Sequence, residues 1–287
     1  MALKEFDVPV ERRIFPASQG LELVGDAFGD AAHPPALLFH GGGQTRHSWS
    51  GTAERLAQSG WYAVSIDLRG HGESDWDPDG AYRSTGFRDD VVAIARSFDR
   101  PVLVGASLGG ISSLLAVQEA GNDVARALVL VDIATRMEQS GAERIMDFMK
   151  GGLDGFDTLE EVADAVAAYN PHRPRPKDIS GLEKNLRRGD DGRWRWHWDP
   201  AFMTPSENGD EKLVSQEVLD AAAASLTLPT LLVRGKMSDL LSEEGARTFL
   251  AQVPHARFAD VSGAGHMVAG DKNDAFSDAV LDFLAST

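Results

Sequence analysis

Short runs of apolar residues recur along this chain and alternate with segments of helical periodicity. Strands that are apolar along their whole length are buried on both faces, and the intervening helices then cover a parallel sheet on both sides. The sequence therefore predicts an α/β protein with a mostly parallel central sheet and helices on both faces. The predicted strands are residues 36–39, 61–66, 102–104, 127–131, 230–233 and 256–261, the last of which also contains Arg257 and Asp260.

The alternation stops after Asp132 and resumes only at residue 230. Residues 134–224 are rich in charged and aromatic side chains and contain helical stretches but no clear buried strand. A long connection without structure of its own is rare inside a compact domain. We therefore expect residues 134–224 to form a cap (lid) insertion, and residues 1–133 and 225–287 to form the core domain.

Composition excludes several classes of protein. The 287 residues carry a formal net charge of -16, which disfavours nucleic acids and anionic membrane surfaces as partners. The chain has no cysteine, so it has neither disulfides nor thiolate metal sites, which fits a cytoplasmic protein. We expect no membrane span and no signal peptide, because the required apolar stretches are missing. The sequence gives no indication of the oligomeric state.

The pentapeptide at residues 105–109, Gly-Ala-Ser-Leu-Gly, follows a predicted strand and leads into a predicted helix. A strand, a G-x-S-x-G turn and a helix together present a serine hydroxyl above the edge of a sheet. The turn is so tight that only glycine fits two residues before and after the serine. Nucleotide-binding turns are also rich in glycine, but here no lysine follows Gly110 and no G-x-G-x-x-G is present. Ser107 is therefore the candidate nucleophile.

A serine hydroxyl needs a neighbouring base, and that base needs an acid to orient it. In parallel sheets such groups follow the carboxyl ends of strands. His266 follows the last predicted strand, in a loop made flexible by Gly263 and Gly265, and is the candidate base. Two acids satisfy the same condition. Asp239 follows the strand at 230–233, and Asp132 ends the strand at 127–131.

Two backbone donors must stabilise the oxyanion that forms when a carbonyl becomes tetrahedral. One is the N–H of Leu108, at the positive end of the helix that follows Ser107. The other is expected in the sequence His-Gly-Gly-Gly at residues 40–43, where glycines let the backbone approach a substrate. We predict Gly42 as this donor, with Gly41 as the alternative.

These motifs together resemble the α/β-hydrolase family, in particular its branch of serine carboxylesterases and cofactor-free haloperoxidases. A further motif, D-x-R-G-x-G-x-S at residues 67–74, is typical of that branch, where it forms a structural turn. The resemblance implies a central sheet of about eight strands and an inserted helical cap. It also favours Asp239 as the acid, because the loop at residues 235–239 has the usual form of the family.

The resemblance implies a serine hydrolase that cleaves carboxylic esters, lactones included, through an acyl-enzyme. Ser107, Asp239 and His266 would form the triad, with Gly42 and Leu108 as oxyanion donors. No metal and no organic cofactor is expected, and the partner would be a small-molecule ester. A perhydrolase, a carbon–carbon bond hydrolase and a non-catalytic ligand-binding protein with the same fold remain alternatives. Epoxide hydrolases and haloalkane dehalogenases are disfavoured because they carry aspartate at the position of Ser107.

Substrate-binding residues leave a weaker signal in the sequence. Trp194, Trp196 and Trp198 alternate with polar residues, so an extended segment would place all three on one face. That face is either a roof over the active site or an anchor for the cap's own core. Trp49, Trp196, Leu240 and Met267 are the candidate pocket residues.

Overall fold

The computed structural model describes residues 7–171, 175, 177–204, 214–266, 268 and 273–287. Eight strands form its central sheet: β1 (Val10–Pro16), β2 (Glu22–Phe28), β3 (Pro35–Phe39), β4 (Tyr62–Ile66), β5 (Val102–Ala106), β6 (Ala127–Val131), β9 (Thr230–Gly235) and β10 (Arg257–Val261). Their spatial order is β1-β2-β4-β3-β5-β6-β9-β10. From β4 to β10 all neighbouring strands are parallel, so the predicted parallel sheet is confirmed.

The first two strands were not visible in the sequence pattern. β1 pairs antiparallel with β2, and β2 pairs antiparallel with β4. Only Phe15 of β1 is buried, because this strand lies at the edge of the sheet with most of its side chains in solvent. An edge strand of this kind lacks the continuous apolar run that marks the buried strands.

Helices cover both faces of the sheet. They are α1 (Ser50–Gln58), α2 (Ser84–Ala95), α3 (Leu108–Ala120), α4 (Gln139–Gly151), α5 (Leu159–Tyr169), α6 (Gln216–Ala224), α7 (Glu243–Gln252) and α8 (Asn273–Leu284). Leu37 and Phe39 of β3 pack with α2, α3 and α7 on one face. Ala36 and Leu38 of the same strand pack with α1 and α8 on the other. Alternate residues of one strand thus serve two cores, which explains its uninterrupted apolar run.

The segment between β6 and β9 has a hydrophobic cluster of its own. It contains α4, α5 and a small antiparallel sheet of β7 (Leu186–Arg188) and β8 (Trp194–Trp196). These strands have three residues each, too short to leave a periodic signal in the sequence. The helix α6 differs from the rest of the segment, since it packs with α3 and α7 in the core. The buried members of the cluster are Met149, Val162, Leu186, Trp196, Trp198 and Met203.

Main-chain hydrogen bonds join this segment to the turn at residues 67–74. The Gly72 N–H donates to the carbonyl oxygen of His197 at 2.7 Å, and the Asp199 N–H donates to that of Gly70 at 2.8 Å. The Tyr82 hydroxyl also donates to a carboxylate oxygen of Asp199 at 2.6 Å. The inserted segment is therefore attached to the core at a defined position.

No helix in the described part of the chain combines the length and the apolar character that crossing a bilayer requires.

Candidate active site

The turn around Ser107 has the geometry that its sequence predicts. Ser107 lies between β5 and α3 with φ 46° and ψ -114°. Residues other than glycine rarely adopt this backbone conformation. A Cβ atom on Gly105 would lie 2.4 Å from the carbonyl oxygen of Gly109. A Cβ atom on Gly109 would lie 2.3 Å from that of Phe39. The expectation that both flanking positions require glycine is confirmed.

His266 pairs with Asp132. The two side chains meet at 2.8 Å, Nδ1 of the imidazole to Oδ2 of the carboxylate. Asp132 is fully buried, while the His266 side chain is 13% exposed. The N–H of Gly235 donates to Oδ1 of Asp132 at 3.0 Å, and the Ser238 hydroxyl donates to Oδ2. The carboxylate is thus held by three donors from two different loops.

The prediction that Asp239 orients His266 is therefore wrong. The Asp239 carboxylate instead pairs with the Arg144 guanidinium of α4, and both side chains are well exposed. The physical reason lies in the backbone directly after β6, where Asp132 adopts φ 52° and turns its carboxylate towards the loop after β10. In the loop after β9, it is Ser238 that reaches this carboxylate, and the next residue points to α4.

The glycines of the loop after β3 differ in what their N–H groups bind. The Gly41 N–H donates to Oε1 of Gln44 at 3.1 Å, and the Gly43 N–H donates to Nε2 of His71 at 3.1 Å. Among the residues that the structure describes, none accepts a hydrogen bond from the N–H of Gly42 or Leu108. The geometry thus distinguishes Gly42 from the alternative, Gly41.

His71 is a site residue that sequence reasoning missed. Its Nδ1–H donates to the Arg69 carbonyl oxygen at 3.0 Å, which leaves Nε2 to accept from Gly43. The ring is fully buried, and burial lowers its pKa to about 3, so the imidazole is neutral. The motif at residues 67–74 contains this histidine, but only the folded chain shows that it reaches the glycine loop.

A second buried histidine supports the same loop. His40 Nδ1–H donates to the Gly41 carbonyl oxygen at 2.8 Å, and Nε2 accepts from the Leu68 N–H at 3.0 Å. Burial lowers the pKa of His40, against the nearby Asp67 carboxylate. Both ring nitrogens are used within the fold, so His40 is structural.

Asp67 closes the polar network beneath these loops. Its carboxylate accepts from the main-chain N–H of Arg46 at 2.6 Å and pairs with the guanidinium of the same residue. Burial raises the pKa of Asp67, but the Arg46 charge, the neighbouring His40 and the hydrogen bonds from the main-chain N–H groups of Arg46 and Glu73 together outweigh this effect, so the pKa lies below its ordinary value. A Cβ at Gly72 would lie 2.1 Å from this carboxylate, which explains the glycine there.

A cavity of about 430 Å³ lies between the sheet edge and the inserted segment. Ser107 and His266 line it, as do Trp49 and Trp196 among the predicted pocket residues. Leu240 is buried and does not line the cavity, so that prediction is wrong; Met267 lies outside the described residues. The other lining residues are Gly41, Gly42, Gly43, Gln44, His47, Ser48, Ala106, Val131, Ile145, Phe148, Met149, Val166, Tyr169, Asn170, Gly181, Leu182, Lys184, Asn185 and Val268.

The tryptophans of the inserted segment have different roles. Trp196 and Trp198 stack with their ring centroids 5.2 Å apart and their planes within 9°. Trp196 lines the cavity, whereas Trp198 is buried in the cluster behind it. The Arg188 guanidinium lies over the Trp194 ring, 5.5 Å from its centroid. Of the alternating tryptophans, Trp196 forms part of the cavity wall, and Trp198 anchors the inserted segment in its own hydrophobic cluster.

The model of the alpha/beta hydrolase family matches residues 36–279. The chain belongs to this family. An esterase of Mycobacterium tuberculosis is 30% identical over 259 residues, which cover 88% of this chain and 83% of the relative. A 3-hydroxybutyrate-oligomer hydrolase of Cupriavidus necator is 28% identical, with 83% of this chain and 85% of that protein covered.

Solved structures agree with this assignment to the alpha/beta hydrolases. The crystal structure of an E-2-(acetamidomethylene)succinate hydrolase superposes with a TM-score of 0.84 at 24% identity, covering 96% of this chain and all of that one. A Mycobacterium tuberculosis esterase gives a TM-score of 0.74 at 27% identity, covering 97% and 92%. The predicted fold, family and hydrolase enzyme class are confirmed.

The described residues contain no group of three or more His, Asp or Glu side chains arranged to hold a metal ion. Among the polar groups that line the cavity of this alpha/beta hydrolase are the Ser107 hydroxyl, the His266 imidazole and the free N–H of Gly42. Such a set suits nucleophilic attack on a carbonyl carbon.

Proposed function

We propose that this alpha/beta hydrolase cleaves carboxylic esters, lactones included, through an acyl-enzyme intermediate. Ser107 is the nucleophile, His266 the general base and Asp132 the acid that orients the base. The observation that carries the proposal is the 2.8 Å pairing of His266 Nδ1 with Asp132, on a histidine that lines the same cavity as Ser107.

In the first half of the reaction, Ser107 Oγ attacks the carbonyl carbon while Nε2 of His266 takes its proton. Asp132 keeps the other ring nitrogen protonated and stabilises the imidazolium that forms. The carbonyl oxygen becomes an oxyanion, and the free N–H groups of Gly42 and Leu108 are its donors. His266 then returns the proton to the leaving alcohol as the acyl-enzyme forms.

In the second half, a water molecule gives a proton to His266 and attacks the acyl carbon. The tetrahedral intermediate collapses, His266 returns the proton to Ser107 Oγ, and the carboxylic acid leaves. With a lactone the acid and the alcohol belong to one product molecule. No step needs a cofactor, because the triad supplies every proton transfer.

The relatives support an ester as the substrate, since one is named an esterase and another a hydrolase of 3-hydroxybutyrate oligomers. The proposed cap, residues 134–224, supports a substrate with an apolar part. Phe148, Met149 and Trp196 of this segment all line the cavity opposite Ser107. Their side chains would shield the acyl-enzyme from bulk water.

Labelling with a fluorophosphonate probe and a panel of p-nitrophenyl esters test the proposal together. We expect the wild-type protein to be labelled at Ser107 and to hydrolyse esters. Ser107→Ala should abolish labelling and lower kcat by at least about 10⁴-fold. A matched control is Ser112→Ala, whose hydroxyl bonds within α3 and does not line the cavity.

Folded wild-type protein that is neither labelled nor active would contradict the proposal and favour a non-catalytic ligand-binding protein. Peroxide-dependent halogenation that is faster than ester hydrolysis would favour the perhydrolase alternative.

A further inference from the structure

The charge of the cavity wall differs from that of the whole chain. The sequence has 44 acidic residues against 28 lysines and arginines. Among the described residues that line the cavity there is no aspartate or glutamate, and Lys184 is the single lysine or arginine. A cavity without acidic walls in so acidic a protein accepts a negative group that most of the surface would repel.

Lys184 lies on an anchored part of the inserted segment. It belongs to the 3₁₀ helix Ser180–Asn185, and the next residue, Asn185, is bonded on two sides. The Thr45 hydroxyl donates to the Asn185 side chain at 2.7 Å, and the His197 N–H donates to its main-chain oxygen at 3.0 Å. The backbone of Lys184 is thus fixed at the cavity, while its flexible side chain can reach a ligand.

The other cations near the cavity are already paired. Arg46 binds the carboxylates of Asp26, Asp67 and Glu73, and Arg144 binds that of Asp239. No salt bridge or hydrogen bond involves the Lys184 side chain within the described part of the chain. Its ammonium is therefore available for a charge that the substrate brings.

The neighbouring polar groups on this wall are neutral. Burial lowers the pKa of His47, with Arg46 as the next cause, and the Lys184 charge acts in the same direction. Lys184 and His47 both line this cavity. His47, Ser48 and Asn185 offer hydrogen-bonding groups without charge, so Lys184 supplies the charge of this wall.

We propose that Lys184 selects esters that carry a carboxylate remote from the scissile carbonyl, by pairing with that carboxylate inside the cavity. The proposal deepens the proposed function and rests on it. The pairing would act on substrate binding, since the remote carboxylate does not change charge during the reaction.

The test compares esters of equal shape and different charge. For the acyl side, the pair is mono-p-nitrophenyl adipate and the ester in which a methyl ketone replaces the free carboxylate. For the alcohol side, the pair is p-carboxyphenyl acetate and p-acetylphenyl acetate. Values of kcat/KM are measured for wild type, Lys184→Met and Lys150→Met. Lys150 is an exposed lysine of the same segment that does not line the cavity, so its variant controls for the loss of one charge.

We expect wild type to prefer the anionic ester in at least one pair, and Lys184→Met to lose about fivefold in kcat/KM on that ester alone. The loss should appear in KM. Lys150→Met should behave as wild type, and high salt should weaken the wild-type preference because it screens the pair. Lys184→Glu should reverse the preference.

Equal turnover of both members of both pairs would overturn the proposal, as would a preference that survives in Lys184→Met. Either result leaves the proposed function standing, provided that hydrolysis depends on Ser107. Absence of any Ser107-dependent turnover and labelling would instead remove the proposed function, and this proposal with it.

Discussion

The loops at the carboxyl edge of the sheet and the segment inserted after β6 face each other across one cavity, but they are fixed in different ways. In the loops, hydrogen bonds fix polar side chains such as that of the buried Asp132, which has three donors. In the inserted segment, the cavity wall is fixed by the packing of side chains such as Met149 and Trp196. The loops are therefore suited to chemistry, and the segment is suited to selecting a substrate.

This contrast predicts that changes in the loops lower kcat, and that changes in the inserted segment alter KM and specificity.

The largest effect is expected at Asp132. Asp132→Asn should lower kcat by about 10⁴-fold, because His266 loses the carboxylate that fixes its tautomer and stabilises its charge. Asp239→Asn is the matched control and should change kcat by less than about tenfold, since its partner Arg144 is exposed. Steady-state kinetics on one ester would measure both. A larger loss in Asp239→Asn would reverse the assignment of the acid.

The next effect is expected at His71. His71→Phe fills the space of the imidazole ring but removes the acceptor for the Gly43 N–H. The backbone of the glycine loop is then less firmly held, and the N–H of the adjacent Gly42 no longer points reliably at the oxyanion. We expect kcat to fall by about 10²-fold with little change in KM. His71→Gln retains an acceptor and should recover most of the rate. Equal losses in both variants, or a loss confined to KM, would show that His71 does not position this loop.

The buried, neutral His71 should also make the free energy of unfolding depend on pH. Its pKa is about 3 in the folded protein and near the ordinary histidine value of 6.5 in the unfolded chain. Between these values the unfolded state binds the extra proton, so the contribution to folding is present above pH 6.5 and is lost as the pH falls towards 3.

The measurement is the free energy of unfolding in urea at several pH values, for wild type and His71→Gln. The wild-type value should fall more steeply on acidification, by about 1.4 kcal/mol per pH unit within this window. Parallel curves for the two proteins would contradict the burial of a neutral imidazole at this position.

The smallest effect is expected in the inserted segment. Arg144→Met removes the pairing of α4 with Asp239 and should raise KM by about two- to fivefold with kcat unchanged, because an exposed pair contributes little. Lys150→Met, on the same helix, is the control. A large loss of kcat in Arg144→Met would show that the segment takes part in the chemistry.

Much of the fold could be predicted because the signals are local. The strands β3, β5, β6 and β9 are apolar along their length, since each serves a core on both faces of the sheet. The antiparallel strands β1 and β2 and the pair β7 and β8 escaped prediction. Strand β1 is exposed at an edge, and β7 and β8 are too short for periodicity to appear.

The pocket could be predicted only in part. Trp49 and Trp196 line the cavity, whereas Leu240 is buried beside it. Lys184 gave no signal in the sequence, because a lone lysine in a polar segment looks like any solvated side chain. Its position on the wall depends on how the inserted segment folds over the sheet.

The tight turn around Ser107 and the glycine loop after β3 could be read from the chain alone, because each depends on steric limits within a few consecutive residues. Gly105 and Gly109, for example, are required by contacts that any residue with a Cβ would violate. The choice between Asp132 and Asp239, and the contact of His71 with Gly43, became visible only in the folded protein. Those assignments depend on the direction in which a side chain leaves the backbone, and on which distant loop it then meets.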